Sequence, residues 1–250
     1  MDEHSLGQRL AAEGLGTAFL VFVGVGSVPA LSMAGGGAAF TGADLGFISL
    51  AFAAIVVATV HAFGYISGCH INPAVTIALA ATGKFARRDV PGYLAAQLLG
   101  AVLGAAAIVG ALGREASELG LGVAAYRDIP WWQAATAEFL GTFLLVITVF
   151  GVFHRKAAPG FAGIAIGLVV FAAIIPVAPA TGASINPART TGPMLVQQLL
   201  GGEVHWEQWP VYVLAELLAG VAAGWTFALL SRTPGDRAPV TPTAEELEHA

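Results

Sequence analysis

The chain has 250 residues, of which 56% are hydrophobic and 11% charged, with a formal net charge of -5. Its mean hydropathy of +0.76, set against the roughly 25% charged residues of soluble domains, excludes an ordinary soluble fold and points to a polytopic membrane protein. No basic block suggests nucleic acid as a partner, and a single cysteine, Cys69, excludes an intramolecular disulfide.

About 20 apolar residues span a bilayer. The first such span covers roughly 8–31, contains AAEGLGTAFLVFVGVG and carries Glu13. It is too long, and too well matched by a later segment, to be a cleaved signal peptide. A second span covers roughly 44–66 and holds His61. SGCHINPAVT follows at Ser67–Thr76, and the apolar stretch that starts there, about 72–83, is too short to cross. A third span, about 90–113, includes YLAAQLLG with Gln97. The fourth, about 131–153, includes ATAEFLGTFLLVITVFG with Glu138, and the fifth covers about 160–179. TGASINPART at Thr181–Thr190 then opens a second short apolar stretch, about 186–200. The sixth span, about 210–231, includes YVLAELLAG with Glu216, and a polar, acidic tail occupies 232–250.

The chain therefore repeats itself. Each half reads span, span, half-helix, span, and the quoted segments match pairwise. An odd number of crossings per half makes the second copy enter from the opposite side. The expected product is one transmembrane domain over 1–250, built as an inverted repeat of about 8–113 and about 131–231, with its special site near the midplane. The positive-inside rule sets the orientation. With both termini cytoplasmic, Arg9, Lys84, Arg87, Arg88, Arg155, Lys156, Arg232 and Arg237 are inside, against Arg114 and Arg127 outside.

Each Asn-Pro-Ala triplet has a local physical meaning. Asparagine is a strong N-cap, and proline fits the first helical turn, where its missing N–H is not needed. Asn72, Pro73 and Ala74 thus start one helix inside the bilayer, and Asn186, Pro187 and Ala188 another. Gly68 and Gly182 permit the tight turns that precede them. Broken helices at membrane depth are tolerated only where the backbone is packed in protein or lines a watery cavity. Two inverted copies bring two helix N-termini together and create a narrow polar line in an apolar wall, the lining of a pore.

ISGCHINPAVT, GASINPART, the two AE-x-LGT motifs and the six-plus-two layout resemble the aquaporins, the major intrinsic protein family, over nearly the whole chain. ISGCHINPAVT and Ile174 are most similar to the archaeal-type members. The resemblance implies an all-α membrane protein with six transmembrane helices and two re-entrant half-helices. It implies a homotetramer with one pore per subunit, passing water and small neutral solutes across the lipid bilayer of the cell, with no cofactor and no metal. Asn72 and Asn186 would donate to water, and the carbonyls of Gly68, Cys69, His70, Gly182, Ala183 and Ser184 would accept its hydrogens.

Counting from the triplets, the outer constriction of the family falls on Phe52, Ile174, Ala183 and Arg189. Water channels usually carry histidine at the Ile174 position and glycerol channels glycine; this chain has neither. Thr190 follows the water-channel pattern, Met194 stands where glycerol channels prefer a basic residue, and the late aromatic pair of water channels is reduced to Val211-Tyr212. The balance favours water with appreciable glycerol.

Other polar residues read as scaffold. Glu13 and Glu138 sit at matching places, where a carboxylate can accept hydrogen bonds from a strained re-entrant loop. Gln97 fits the same bracing role, His70 packs its loop, His61 suits an interhelical hydrogen bond, and Glu216 departs from the family with no account. A coupled transporter would also use broken helices but needs carboxylates at the breaks. A membrane enzyme would need a nucleophile or metal motif, and neither HExxH nor GxSxG occurs.

Overall fold

The computed structural model describes residues 4–154 and 156–232. Arg155, Arg237 and the polar tail after Arg232 lie outside the described residues. The first helix, α1 (Leu6–Phe19), opens on a capping box in which the Ser5 hydroxyl accepts from the Gln8 N–H and the Gln8 side chain accepts from the Ser5 N–H. It runs through a π-helical turn, Leu20–Val25, into α2 (Ser27–Ala34), forming one apolar span of 29 residues. The wide turn is not visible in the hydropathy pattern. Its position agrees with Pro29, which has no N–H to give to the Val25 carbonyl.

A second capping box, Thr41 with Asp44, starts α3 (Gly42–Ser67). The half-helix α4 (Pro73–Ala81) leads to α5 (Val90–Leu112) and to a single short turn, α6 (Glu115–Glu118). The second half repeats the order with α7 (Trp131–Val152), α8 (Ala162–Thr181), the half-helix α9 (Pro187–Leu199) and α10 (Trp209–Leu230). The fifth span reaches Thr181 rather than 179, because α8 passes through Pro176 and Pro179 without stopping. Among the described residues, six helices are long and apolar enough to cross a membrane.

Packing follows the repeat. α1 lies on α5 as α7 lies on α10, α5 holds α9 as α10 holds α4, and α1 meets α3 as α7 meets α8. Exchanging the halves maps each pair onto its partner, and the α3–α8 pair onto itself. The two half-helices thus start between α3 and α8, each held by the opposite half.

Small residues set these distances. A Cβ at Gly100 of α5 would overlap the Gly14 carbonyl of α1, and one at Gly104 would overlap that of Ala18. Leu99, Leu103, Leu140, Leu168, Leu214 and Leu218 point outward, as a lipid-facing surface requires, and Trp131 and Trp132 are exposed at the start of α7. Arg9 and Asp89 pair at 3.0 Å, tying the start of α1 to that of α5 on one membrane face.

We expect Gly100→Ala to destabilise the protein by about 1–3 kcal/mol through overpacking. Gly110→Ala on the same helix, where nothing lies within 4 Å of the added carbon, is expected to be neutral or stabilising by up to about 1 kcal/mol. Thermal unfolding of both variants in detergent checks the opposite signs.

Candidate permeation site

Each re-entrant loop uses backbone conformations that L-residues avoid. Gly68, Cys69 and Ile71 have φ of 86°, 47° and 42°, and Gly182, Ala183 and Ile185 have 77°, 48° and 47°. A β-branched residue in the left-handed region is an outlier, and each such residue costs on the order of 1–3 kcal/mol. The alternation turns successive N–H groups of the loop to one side. There they meet a carboxylate. Glu13 accepts from the N–H groups of His70 (2.8 Å) and Ile71 (2.7 Å) and from the Ser67 hydroxyl (2.7 Å). Glu138 does the same for Ser184 (2.9 Å), Ile185 (2.7 Å) and the Thr181 hydroxyl (2.6 Å).

A second layer is also duplicated. Tyr93 donates to the Ser67 carbonyl and Tyr212 to the Thr181 carbonyl, both at 2.8 Å. Gln97 donates to Glu13 (2.8 Å) and to Thr76 (2.9 Å). The His70 ring, with Nδ1 3.1 Å from the Thr76 hydroxyl, is wedged against Phe85 and Tyr93. Sequence reasoning left the two tyrosines unassigned, although each opens one of the matching segments YLAAQLLG and YVLAELLAG. His61 differs from expectation: its Nδ1 is 2.8 Å from the Val57 carbonyl of its own helix rather than bonded across helices. Gly163 of α8 gives its ring room.

The caps meet at the centre. The Asn72 side-chain oxygen accepts from the Ala74 N–H (2.9 Å), and that of Asn186 from the N–H groups of Ala188 (3.0 Å) and Arg189 (3.3 Å). The Asn72 amide donates to the Ile185 carbonyl and the Asn186 amide to the Ile71 carbonyl, both at 2.8 Å. Each loop is therefore clasped by the other's cap. One amide hydrogen of each asparagine is used in the clasp, which leaves the second for anything in the space between.

That space is an internal cavity of about 450 Å³. Its polar lining comes from Asn72, Asn186, Arg189 and the loop residues Gly68, Cys69, His70, Ala183 and Ser184, with Lys84 at one end. Among the described residues, no backbone N–H is bonded to the carbonyls of these five loop residues. The rest of the wall is apolar. Phe52, Val56 and Val60 form one stripe on α3, and Ile166, Val170 and Ile174 its counterpart on α8. Leu20 in the π-helical turn and Leu145 on α7 complete the symmetric pairing.

Phe52, Ile174, Ala183 and Arg189 all line this cavity. Arg189 is buried, donates to the Gly122 carbonyl at 3.1 Å, and lies 5.6 Å above the Phe52 ring, within cation–π range. Gly122, in the loop between α6 and α7 that hydropathy leaves blank, is a contact that sequence reasoning missed. Gly24, in the π-helical turn, makes room for Phe52, because a Cβ there would run into the ring. Gly182 is a correction: it does not line the cavity, and its free side faces Ala124. The triplets reach the cavity through their asparagines alone, while Pro73, Ala74, Pro187 and Ala188 are buried in the packing behind them. Glu13, Glu138 and Gln97 lie outside the lining, behind the loops.

Comparison with known proteins agrees with this architecture. The profile of the major intrinsic protein family matches residues 1–227. Aquaporin AqpM of Methanothermobacter thermautotrophicus is 43% identical over 242 residues, covering 91% of this chain and 98% of the relative. Probable aquaporin AqpM of Archaeoglobus fulgidus is 40% identical, with the same coverage of both chains. Aquaporin Z of Rhodopseudomonas palustris is 37% identical over 90% of this chain and 94% of its own. The X-ray structure of the aquaglyceroporin from Plasmodium falciparum superposes with a TM-score of 0.78 over 90% of this chain and 95% of that one, at 23% identity, a likeness of fold. With duplicated half-helices clasped at their caps, and a family profile spanning nearly all of its length, this integral membrane protein belongs to the major intrinsic protein family.

Proposed function

We propose that the chain is a water channel of the cell membrane that also passes small neutral solutes such as glycerol, and that it excludes ions and protons. The observation that carries this reading is the clasp of Asn72 and Asn186 across a cavity whose wall is apolar except for one line of donors and acceptors. Passive conduction of water and small solutes is the activity of the family. What this chain adds is its own constriction and its own polar line.

A water molecule at the clasp meets the remaining amide hydrogens of Asn72 and Asn186, and on either side the loop carbonyls. The α4 and α9 helices both begin there, and each N-terminus carries about half a positive charge. A cation about 4 Å from one, at an effective dielectric near 20, meets roughly 2 kcal/mol of repulsion, and two ends give roughly a thousandfold exclusion. The cost of shedding water in an apolar tube adds to this, as does Arg189 at the constriction. The carboxylates of Glu13 and Glu138 stand beside the breaks, where a coupled transporter would need them. Both are taken up by loop N–H groups and lie outside the lining, which favours passive flow.

The constriction of Phe52, Ile174, Ala183 and Arg189 has one polar side chain, the guanidinium. A three-carbon polyol can lay its backbone on Phe52 and Ile174 and turn its hydroxyls to Arg189. The subunits assemble as homotetramers, with both termini cytoplasmic and Lys84 at the inner mouth. Stopped-flow light scattering of proteoliposomes, run with an impermeant osmolyte and then with glycerol, tests the reading. Passive fluxes of low activation energy support it, and saturable, gradient-coupled uptake overturns it.

Three outcomes are expected. Arg189→Val retains water flow but admits a measurable proton or cation leak, read by a trapped pH dye under an imposed potential; an unchanged leak in folded tetramers would remove Arg189 from the filter. Ile174→His lowers glycerol flux more than water flux, and an unchanged water-to-glycerol ratio would sink the role of that position. Mercury inhibits weakly and only through Cys69, whose sulfur is turned towards Gly16, 3.9 Å from where a side chain there would begin. Inhibition that persists in Cys69→Ser would place the mercury site elsewhere.

A further inference from the structure

Glu216 is wholly buried on α10, and nothing in the conduction pathway uses it. The repeat gives it a partner for comparison. Gln97 follows Tyr93 by four residues and Glu216 follows Tyr212 by four, and the two tyrosines make the same bond to the end of α3 and of α8. Thr76 and Thr190 are likewise equivalent: each hydroxyl donates to the carbonyl of its cap asparagine at 3.2 Å.

In the first half, Gln97 Nε2 donates to the Thr76 hydroxyl at 2.9 Å, and Gln97 Oε1 has no partner. In the second half, Glu216 Oε1 lies 3.4 Å from the Thr190 hydroxyl, and Glu216 Oε2 has no partner. The two side chains match in their contacts to the threonines, although Gln97 Nε2 also donates to Glu13 at 2.8 Å. Oε1 of Glu216 stands where Gln97 has its N–H donor, and Oε2 stands where Gln97 has its carbonyl oxygen.

The hydrogens around Thr190 can be counted. Its hydroxyl is in close contact with the Ser184 hydroxyl, and both reach the Asn186 carbonyl. With Glu216 Oε1, this makes four oxygens and two hydroxyl hydrogens, and the Asn186 N–H, which also approaches the Glu216 carboxyl, adds no hydrogen to Thr190. Thr76 in the first half receives an additional hydrogen from the Gln97 amide. A carboxyl supplies the equivalent hydrogen only as the acid. The charged groups that face Glu216 from the packed elements are Glu138 on α7 and Arg189 on α9, and α4 contributes none. Glu138 is itself committed to loop N–H groups, so a bare carboxylate at Glu216 would bury a second negative charge with one oxygen unpaired, whereas the acid leaves only a neutral carbonyl oxygen there, as Gln97 does.

We propose that Glu216 is a positioning residue of the outer constriction: it donates a hydrogen bond from its acid form to Thr190, as the Gln97 amide does to Thr76, and so fixes the first turn of α9 from which Arg189 projects. The consequence for selectivity rests on the reading of Arg189 as part of the filter; the donor role of Glu216 does not.

The test uses the full chain in proteoliposomes. Infrared difference spectra between wild type and Glu216→Gln at neutral pH are expected to show a protonated carboxyl band in the wild type that the variant lacks. Glu216→Gln, which keeps a donor, is expected to retain the wild-type water-to-glycerol ratio and proton tightness. Glu216→Leu, which has no donor, is expected to change the ratio about fivefold, the scale of one lost hydrogen bond, and to raise the proton leak. A carboxylate band in place of the acid band, or a Gln variant as altered in flux as the Leu variant, overturns the proposal. Should Glu216→Leu fail to fold, the spectrum and the Gln variant still decide it. Should Arg189→Val prove tight to protons, the spectrum alone decides the donor role.

Discussion

Everything in this molecule depends on satisfying a backbone that has been broken inside a membrane. A helix that stops at the midplane leaves N–H and C=O groups that no water-filled exterior can reach, and each one left bare costs about 1–3 kcal/mol. The loop solves this by sorting its groups. Left-handed residues at Cys69 and Ile71, and at Ala183 and Ile185, turn the N–H groups back towards Glu13 and Glu138, while among the described residues no backbone N–H takes up the carbonyls of the lining residues Gly68, Cys69, His70, Ala183 and Ser184. The strain of those residues is of the same order as the bonds the carboxylates accept, so neither feature is tenable without the other. The two glutamates are thus the condition under which a polar line can exist in an apolar wall.

Much of this was legible in the chain, because the broken-helix problem leaves marks at fixed spacing. Asn72 and Asn186 as caps, glycine before each turn, and a glutamate at the same place in each first span are local rules written twice. The span limits followed hydropathy within about three residues. What stayed hidden depends on three dimensions. The π-helical turn that brings Leu20 to the wall answers a proline one turn later and no hydropathy change. Gly122 reaches Arg189 from a loop with no pattern of its own, and Gly24 is written as one more small residue in a chain of 32 glycines. The mutual bonds of Asn72 and Asn186 to Ile185 and Ile71 join residues more than a hundred positions apart. Gly182 was read into the lining with the other loop carbonyls, whereas it is not among the residues that line the cavity and Ala124 packs where its Cβ would stand.

The two halves share a backbone plan but not a lining, and this is where direction enters an otherwise symmetric tube. By the repeat, the counterpart of Arg189 is Val75, that of Ile174 is Val60, that of Ala183 is Cys69 and that of Phe52 is Ile166. All of them line the same cavity. One ring therefore holds a fixed cation against an aromatic face, while the other is apolar, with a thiol turned into the packing. The two ends of the cavity thus share a cap asparagine and a polar loop each, but only one ring carries a charged side chain. The supporting layers diverge in the same sense. His70 and Gln97 brace the first loop through nitrogen atoms, while Ser184 and Glu216 brace the second with oxygen alone. The loop that sits beside a buried guanidinium is the one whose support has exchanged nitrogen for oxygen. The inverted repeat thus fixes where the polar atoms stand, and the side chains behind each loop decide the electrostatic balance in which its half of the pathway works.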